Sequence, residues 1–228
     1  MDVDTVTKKN SHEEILNQFR NDHIDILIGT QMVVKGHHFP DVTLVGVIAA
    51  DANLNIGDFR ASEKTFQILT QVAGRAGREK EKGSVVIQTY NPDNFSIQYA
   101  KQQDYDIFYQ TEIEFRKALK NPPFCDIMVI GIQAEKIEDL QTVSQMLYQK
   151  MKEQIRAENL PVILYSPIPA PVDRIKNKIR WRMLLKCKYE DKIADFLRSK
   201  VAECEKEISP RMWEQTKITI ELNPTNMM

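Results

Sequence analysis

Two consecutive prolines, Pro122 and Pro123, constrain the fold of this chain more than any other feature. A proline lacks a backbone donor and has a fixed φ, so neither a helix interior nor a central strand runs through such a pair. The residue before a proline is also pushed out of the helical region. We therefore predict that the 228-residue chain divides here into two domains, residues 1–120 and 121–228.

Residues 1–120 alternate short apolar runs with helical patterns. We predict strands at residues 24–28, 42–50 and 84–90, and helices at residues 61–78 and 94–119. The run at 42–50 is almost continuously apolar, which predicts a strand buried on both faces. Alternating strands and helices favour an α/β layer in which helices pack on a mostly parallel sheet.

Residues 121–228 follow a different order of elements. Their patterns predict strand 126–134, helix 138–157, strands 162–165 and 176–188, helix 191–207 and strand 217–222. The order β-α-β-β-α-β is that of the split, ferredoxin-like folds. The predicted fold class is thus an α/β domain followed by a smaller α+β domain.

Composition excludes several classes of protein. Hydrophobic residues make up 42% and charged residues 28%, which is ordinary for a globular chain. No apolar run has the length of a membrane span, and the first nine residues lack the apolar core of a signal peptide. We therefore expect no membrane partner.

The possible metal ligands do not form a site. Cys125, Cys187 and Cys204 are far apart in sequence, and His37 and His38 are adjacent, so their side chains point apart. None of these residues has the spacing of a zinc site. We predict no metal site made by this chain alone, and three scattered cysteines favour a reducing compartment.

A net charge of −1 means that affinity for nucleic acid must come from a local patch. Residues 174–188 contain seven basic residues and no acid: Arg174, Lys176, Lys178, Arg180, Arg182, Lys186 and Lys188. Apolar residues from Ile175 to Cys187 take the other parity, so one strand would carry a core face and a cationic face. We name Lys176, Lys178, Arg180 and Arg182 the cationic ridge and predict that it contacts a DNA phosphate backbone. The alternative is a solvated edge strand whose lysines prevent aggregation.

A second basic feature is the octet QVAGRAGR at residues 71–78. On a helix, Arg75 and Arg78 would share a face, because they are three residues apart. The planar fork of arginine pairs with phosphate oxygens and keeps its charge, so the two side chains are suited to one multiply charged anion. The simpler alternative is a helix that frays into a glycine turn with two solvated arginines.

This octet resembles motif VI of the second helicase superfamily, and residues 29–40, GTQMVVKGHHFP, look like its motif V. The sequence around both motifs, through VVIQTYNP at residues 85–92 and on to residue 228, resembles that of the PriA family of bacterial replication-restart helicases. The resemblance implies that residues 1–120 belong to a RecA-like helicase lobe and that residues 121–228 form the family's C-terminal domain.

The resemblance also implies roles for individual residues. Arg78 would be the arginine finger, Arg75 would bind the γ-phosphate, and Gln71 would link the nucleotide to the DNA contacts. Gly36 would allow a backbone turn near the nucleotide. Thr30 and Gln31 would contact DNA. Arg60 would contact DNA or the opposite lobe, although an ion pair with Glu63 at the helix start is an equal alternative.

Several parts of a complete helicase are missing from this sequence. It has no GxxxxGK[ST] loop and no acidic Walker B motif, and Asp51 and Asp58 are single acids. The family's zinc-binding cysteines are missing too. We therefore expect ATP and Mg²⁺ to be shared with a lobe outside this chain, zinc to be bound outside it, and the chain alone to be inactive.

The predicted function is that of a C-terminal fragment of an ATP-dependent 3′→5′ DNA helicase in replication restart and primosome assembly at stalled forks. Implied partners are forked and single-stranded DNA, primosome proteins and single-strand-binding protein, in the bacterial cytoplasm at the nucleoid. The alternative from another class is a non-catalytic DNA- or protein-binding module on a helicase-like lobe. A weaker alternative is an RNA helicase of the same superfamily.

Overall fold

The structure, a computed structural model, describes residues 11–22, 24–30, 42–55, 57–74 and 83–227. These residues form two compact units. The first extends to Glu112, and the second runs from Ile113 onward and also includes Gly57–Phe59. Each unit has a hydrophobic core of its own.

The first unit is a small parallel sheet with helices. Its elements are α1 (Ser11–Asn21), β1 (Leu44–Val47), a 3-10 helix (Ala50–Asn53), α2 (Ala61–Ala73), β2 (Ser84–Ile87), α3 (Phe95–Gln102) and the first part of α4 (Tyr105–Ala118). β1 and β2 pair in parallel, with Leu44 opposite Ser84. Buried residues of α2, α3 and α4 form the core, where the rings of Phe66 and Phe108 stack with centroids 4.1 Å apart.

The described sheet of the first unit is smaller than the sequence predicts. Residues 24–28 form no strand, and Ile26 and Ile28 are 74% and 76% exposed. The predicted strand at 42–50 is reduced to β1, where exposed and half-buried side chains alternate. Strand backbones need a neighbour to bond with, and in the described part of this unit only β1 and β2 pair. The prediction of a strand buried on both faces is therefore wrong.

The single helix predicted at residues 94–119 is in fact two helices. α3 ends at Gln102, and Gln103 has a positive φ of 55°. Asp104 then starts α4, because its carboxylate accepts a hydrogen bond from the Ile107 N–H at 3.0 Å. A carboxylate in this position is an N-cap, which ends one helix and begins the next.

The second unit is an antiparallel sheet with helices. Its elements are β3 (Asp126–Ala134), α5 (Ile137–Ala157), β4 (Ile163–Leu164), β5 (Ile168–Ile175), β6 (Lys178–Cys187), α6 (Asp191–Glu207), α7 (Pro210–Gln215) and β7 (Lys217–Leu222). The strand order is β4-β6-β3-β7, and β5 pairs with β6 beside this path. This is the predicted β-α-β-β-α-β order with β5 and α7 added.

One face of this sheet is covered by α5 and α6. Alternate side chains of β3 and β6 are buried there: Met128, Ile130, Ile132, Ala134, Met183, Leu185 and Cys187. They pack in one cluster with buried residues of both helices, including Leu147 and Phe196. The side chains that alternate with these core residues, among them Gln133 on β3, Arg180 on β6 and Lys217 on β7, lie on the opposite face, which we call the outer face. The predicted separation of apolar and basic residues on β6 is confirmed.

The strand predicted at residues 176–188 is half of a β-hairpin. Lys176 and Asn177 have positive φ values of 48° and 62°, as in a two-residue hairpin turn. β5 therefore pairs with β6, with Ile175 opposite Lys178. Paired residues share a face, so Ile175 faces away from the core and is 45% exposed. The predictions of Ile175 as a core residue and Lys176 as a strand residue are wrong.

Candidate nucleic-acid interface

The residues of the two helicase motifs are only partly within the described ranges. Four predicted site residues lie outside them: Gln31, Gly36, Arg75 and Arg78. Thr30 is exposed and follows the irregular segment 24–28. Gln71 is exposed in the last turn of α2, and Arg60 is half-buried immediately before that helix. The roles assigned to these residues stay predictions.

Asp51 connects the segments that follow β1 and β2. It is only 8% exposed, in the 3-10 helix after β1. Its two carboxylate oxygens lie 3.4 and 3.2 Å from the backbone N–H of Tyr90, which donates to them. The sequence marks Asp51 only as an isolated acid, whereas the structure gives it a bond across 39 residues.

The outer face of the second unit brings basic and polar side chains of three strands together. Across β6, β3 and β7, one row is Arg180, Gln133 and Lys217, and the next is Arg182, Gly131 and Thr219. These rows line a groove of about 230 Å³. Sequence reasoning found the two arginines but missed Gln133, Lys217 and Thr219, because the pairing of β3 with β7 brings them there.

Gly131 lines the groove at a point where there is no room for a side chain. A Cβ at this position would lie 2.7 Å from the Thr219 hydroxyl oxygen, a distance too short for real atoms. The glycine therefore allows Arg182 and Thr219 to approach the same point of the sheet from two sides. A glycine inside a strand often marks a close approach of this kind.

The cationic ridge is not uniform. Lys176 is exposed in the hairpin turn, and Lys178 and Arg180 are half-buried at the start of β6. Arg180 donates one hydrogen bond, to the Val172 carbonyl at 3.2 Å. Since a guanidinium has five N–H donors, Arg180 has further donors without a partner among the described residues, and these are available to a ligand in the groove.

Arg182, at the centre of the groove, is held by neighbouring parts of the second unit. Its Nη1 donates to the Met227 carbonyl, and its Nε is buried without a partner among the described residues. Burial lowers the pKa of its guanidinium below the ordinary value for arginine, and the charge of Asp58 opposes this effect. Arg182 is therefore a half-buried cation tied to its own unit, whereas the sequence predicts a solvent-facing ridge residue.

Lys186, farther along β6, is occupied by contacts within its own unit. Its ammonium donates to the Leu119 carbonyl at 2.9 Å and to the Asn121 side chain at 2.7 Å. The same ammonium lies 5.7 Å from the centre of the Tyr165 ring. The cationic surface suited to a ligand is thus the half of β6 nearest the hairpin turn.

Asn223, directly after β7, holds the end of the sheet in place. Its amide donates to the Asp126 carboxylate at 2.7 Å, and its own carbonyl oxygen accepts from the Ile127 N–H at 2.9 Å. The other Asp126 oxygen accepts from the Tyr189 N–H at 2.9 Å. The bonds from Asn223 and Tyr189 lower the pKa of Asp126 below its ordinary value of 3.8.

This lowered pKa predicts a pH dependence of stability. A carboxylate whose folded pKa is depressed stabilises the fold above pH 3.8 and loses that contribution as the pH falls through its folded pKa. We expect Asp126→Asn to cost about 1 kcal/mol at neutral pH, the size of one net hydrogen bond. The difference from the unmodified chain should shrink as the pH falls through and below 3.8.

Urea unfolding followed by tryptophan fluorescence measures this difference. Asp195→Asn is the control, because Asp195 has an exposed side chain and forms an ion pair with Arg198 in the same helix. The interpretation is contradicted if the two variants show the same dependence on pH.

The cysteine thiols do not suit a metal site. Burial raises the pKa of Cys187 and of Cys204 to about 11, which disfavours the thiolate form that binds zinc. Within the described ranges, no group of three or more His, Cys, Asp or Glu residues is arranged to hold a metal ion. No helix described there is long and apolar enough to cross a membrane.

Comparison with known proteins agrees with this architecture. Residues 2–80 match the helicase conserved C-terminal domain, and residues 117–225 match the primosomal protein N C-terminal domain. The replication restart protein PriA of Bacillus subtilis is 39% identical over 228 residues, all of this chain and 28% of that protein. PriA of Rickettsia typhi is 43% identical over 175 residues, 75% of this chain and 26% of that protein.

A third relative, PriA of Synechocystis, is 38% identical over 185 residues, 81% of this chain and 22% of that protein. Among solved structures, the designed protein Foldit4 aligns with a TM-score of 0.32 and 10% identity, over 45% of this chain and 99% of its own. A likeness this weak has no bearing on function.

A parallel-sheet unit that fits a RecA-like lobe, followed by a ferredoxin-like unit with a cationic outer face, defines the C-terminal region of a helicase. Within that class, the chain belongs to the PriA family and corresponds to its C-terminal region. The resemblance predicted from the sequence is confirmed. The chain spans about a quarter of the length of the three relatives described.

Proposed function

We propose that this chain is the DNA-holding C-terminal part of an ATP-dependent 3′→5′ DNA helicase that acts in replication restart and primosome assembly at stalled forks. The observation that carries the proposal is the row of Arg180, Gln133 and Lys217 on the outer face, beside Lys178 and the half-buried Arg182. Cations spaced along a strand suit a phosphate backbone, which they bind without reading its sequence.

The helicase lobe has a separate role in this proposal. Arg78 acts as the arginine finger and Arg75 binds the γ-phosphate, with Gln71 and Gly36 nearby. Thr30, Gln31 and Arg60 contribute contacts to DNA. Most ligands of ATP and Mg²⁺ belong to a lobe outside this chain, and the zinc is bound by cysteines outside it too.

The proposed partners follow from the family. They are forked and single-stranded DNA, with primosome proteins and single-strand-binding protein as protein partners. Similarity to replication restart proteins over the whole chain supports these partners in general. The outer face supports DNA in particular, because its charges match a polyanion.

Binding of a fluorescein-labelled single strand, followed by anisotropy at several salt concentrations, tests the proposal. The test variant carries Lys176→Ala, Lys178→Ala and Arg180→Ala, which lie at the turn and the start of β6. We expect weaker binding and a slope of log K against log salt that is shallower by about 2, since each lost phosphate contact with a single strand removes about 0.7.

A matched control removes the same charge from the other side of the second unit. Lys192→Ala, Arg198→Ala and Lys206→Ala lie at exposed positions of α6, which covers the opposite face of the sheet. This control should bind DNA like the unmodified chain. Equal losses in both variants would mean that net charge alone matters, and the proposed site would be rejected.

Forked DNA and single-stranded RNA, titrated in the same way, separate the alternatives. Tighter binding to the fork supports a role in replication restart. Preference for RNA would instead favour an RNA helicase of the same superfamily.

A further inference from the structure

The last described residues, 223–227, lie along the outer face of the second unit, and we call them the strap. Asn223 has a positive φ of 47° and is fixed by its bonds to Asp126 and Ile127. Beyond it, Pro224, Asn226 and Met227 line the same groove as Arg180 and Arg182. Met227 is only 7% exposed. The strap is thus anchored at its start by Asn223 and at its far end by a buried side chain.

The strap contacts Arg182, the cation at the centre of the groove. The Nη1 of Arg182 donates to the Met227 carbonyl, an uncharged acceptor. The Nε of the same guanidinium is buried and has no partner among the described residues. A buried donor without a partner is costly, so the strap satisfies Arg182 only in part.

A phosphodiester group would satisfy Arg182 better than the strap does. Two oxygens of a phosphate accept two parallel N–H bonds from one guanidinium, and bonds between charged partners are about twice as strong as neutral ones. Arg180 and Lys217 lie one row away, and the Thr219 hydroxyl and Gln133 amide supply further donors on the same face. Glu221 is the one carboxylate residue lining the groove within the described ranges, and it lies on β7 one row beyond Thr219, opposite Val129.

We propose that this groove is a binding site for the phosphodiester backbone of a DNA strand, and that the strap occupies it in the free chain and is displaced when the strand binds. The proposal rests on the proposed function of the outer face, and it adds Lys217, Gln133 and Thr219 to the site. The Met227 carbonyl stands where a phosphate oxygen would lie. The strap therefore lowers the affinity of the free chain for DNA and leaves Arg182 paired when no strand is bound.

Deletion of residues 224–228 tests this competition. The deletion keeps Asn223, so the anchoring of β7 is retained. We expect the truncated chain to bind a labelled single strand about tenfold more tightly, the factor that corresponds to one hydrogen bond to a charged group. The same deletion in an Arg182→Ala background should change the affinity by less than about twofold. In that background the Met227 carbonyl no longer has the Arg182 guanidinium to bond with, so the strap does not compete for it.

Displacement of the strap is followed directly in the full chain. With ¹³C-labelled methionine methyl groups, the Met227 resonance is assigned by its loss in Met227→Leu. We expect this resonance to move to the position of an exposed methionine when the oligonucleotide is added. Buried Met183, on the core face, is the internal control and should stay unchanged.

The outcomes separate this proposal from the proposed function. If truncation leaves DNA binding unchanged and Met227 does not move, while the ridge variant still loses binding, the strap is only structural and this inference is overturned. If the unmodified and truncated chains both fail to bind DNA, the proposed function falls as well. If truncation unfolds the second unit, as tryptophan fluorescence would reveal, Met227→Ala in the full-length chain replaces it with the same expectation of tighter binding.

Discussion

Leu147→Ala should destabilise the second unit by about 3 kcal/mol, within the usual range of 2–5 for a buried leucine. Leu147 lies on α5, is 0% exposed and belongs to the core between the helices and the sheet. Its loss removes apolar burial and leaves a cavity that close-packed neighbours fill only partly. An effect of this size is a large fraction of the stability of a domain.

Both tryptophans of the chain, Trp181 and Trp213, lie in the second unit and pack against its core. Their fluorescence during urea unfolding therefore reports this unit separately from the first. Leu147→Met is the matched control, because a swap that conserves volume usually costs less than about 1.5 kcal/mol. Leu119→Ala, at a 62% exposed position, should change stability by less than about 0.5 kcal/mol. Equal effects of Leu147→Ala and Leu119→Ala would contradict the assignment of the core.

Local periodicity was enough to predict elements whose faces differ in polarity. The predicted bounds 126–134, 191–207 and 217–222 coincide with β3, α6 and β7. α6 has one side in the core and the other exposed to solvent, and from Met128 onward every second residue of β3 is buried, so the periods of 3.6 and 2 residues are visible in the sequence.

Periodicity failed where a turn preserves the alternation. Lys176 and Asn177 continue the pattern of basic and apolar residues through the hairpin, yet the chain reverses there. After a two-residue turn, Ile175 pairs with Lys178 and shares its face of the sheet. Odd-numbered residues therefore face the core on β6, whereas the odd-numbered Ile175 on β5 lies on the outer face. Asn177 was the available signal, because asparagine tolerates the left-handed conformation that such turns require.

Contacts between distant residues also escaped prediction. Arg182 and Met227 are 45 residues apart, and Lys217 reaches the groove only because β7 pairs with β3. No local pattern reports either contact. Arg75, Arg78, Gln31 and Gly36 lie outside the described residues, so their assignment depends on the motifs that carry the resemblance.

The motif residues are best tested by catalysis in a longer protein. The whole chain aligns with 28% of the Bacillus subtilis PriA protein at 39% identity, so it can replace the matching region in a chimera. We expect the chimera to hydrolyse ATP in the presence of single-stranded DNA, as the helicase resemblance implies. Arg78→Ala should then lower kcat by about a thousandfold, the lower end of what an arginine finger contributes.

The physical reason is charge on the transferring phosphoryl group. That charge grows in the transition state, where a fixed guanidinium stabilises it more than in the ground state. ATP binding should therefore persist in Arg78→Ala while hydrolysis is lost, and fluorescent-nucleotide binding measured beside phosphate release separates the two steps. Arg78→Lys should fail as well, because an ammonium keeps the charge but lacks the planar fork.

Arg156→Ala, at an exposed position late in α5, is the control and should leave hydrolysis unchanged. If Arg78→Ala hydrolyses ATP at the unmodified rate, Arg78 is not the arginine finger. The alternative, in which Arg75 and Arg78 are two solvated arginines, would then be favoured.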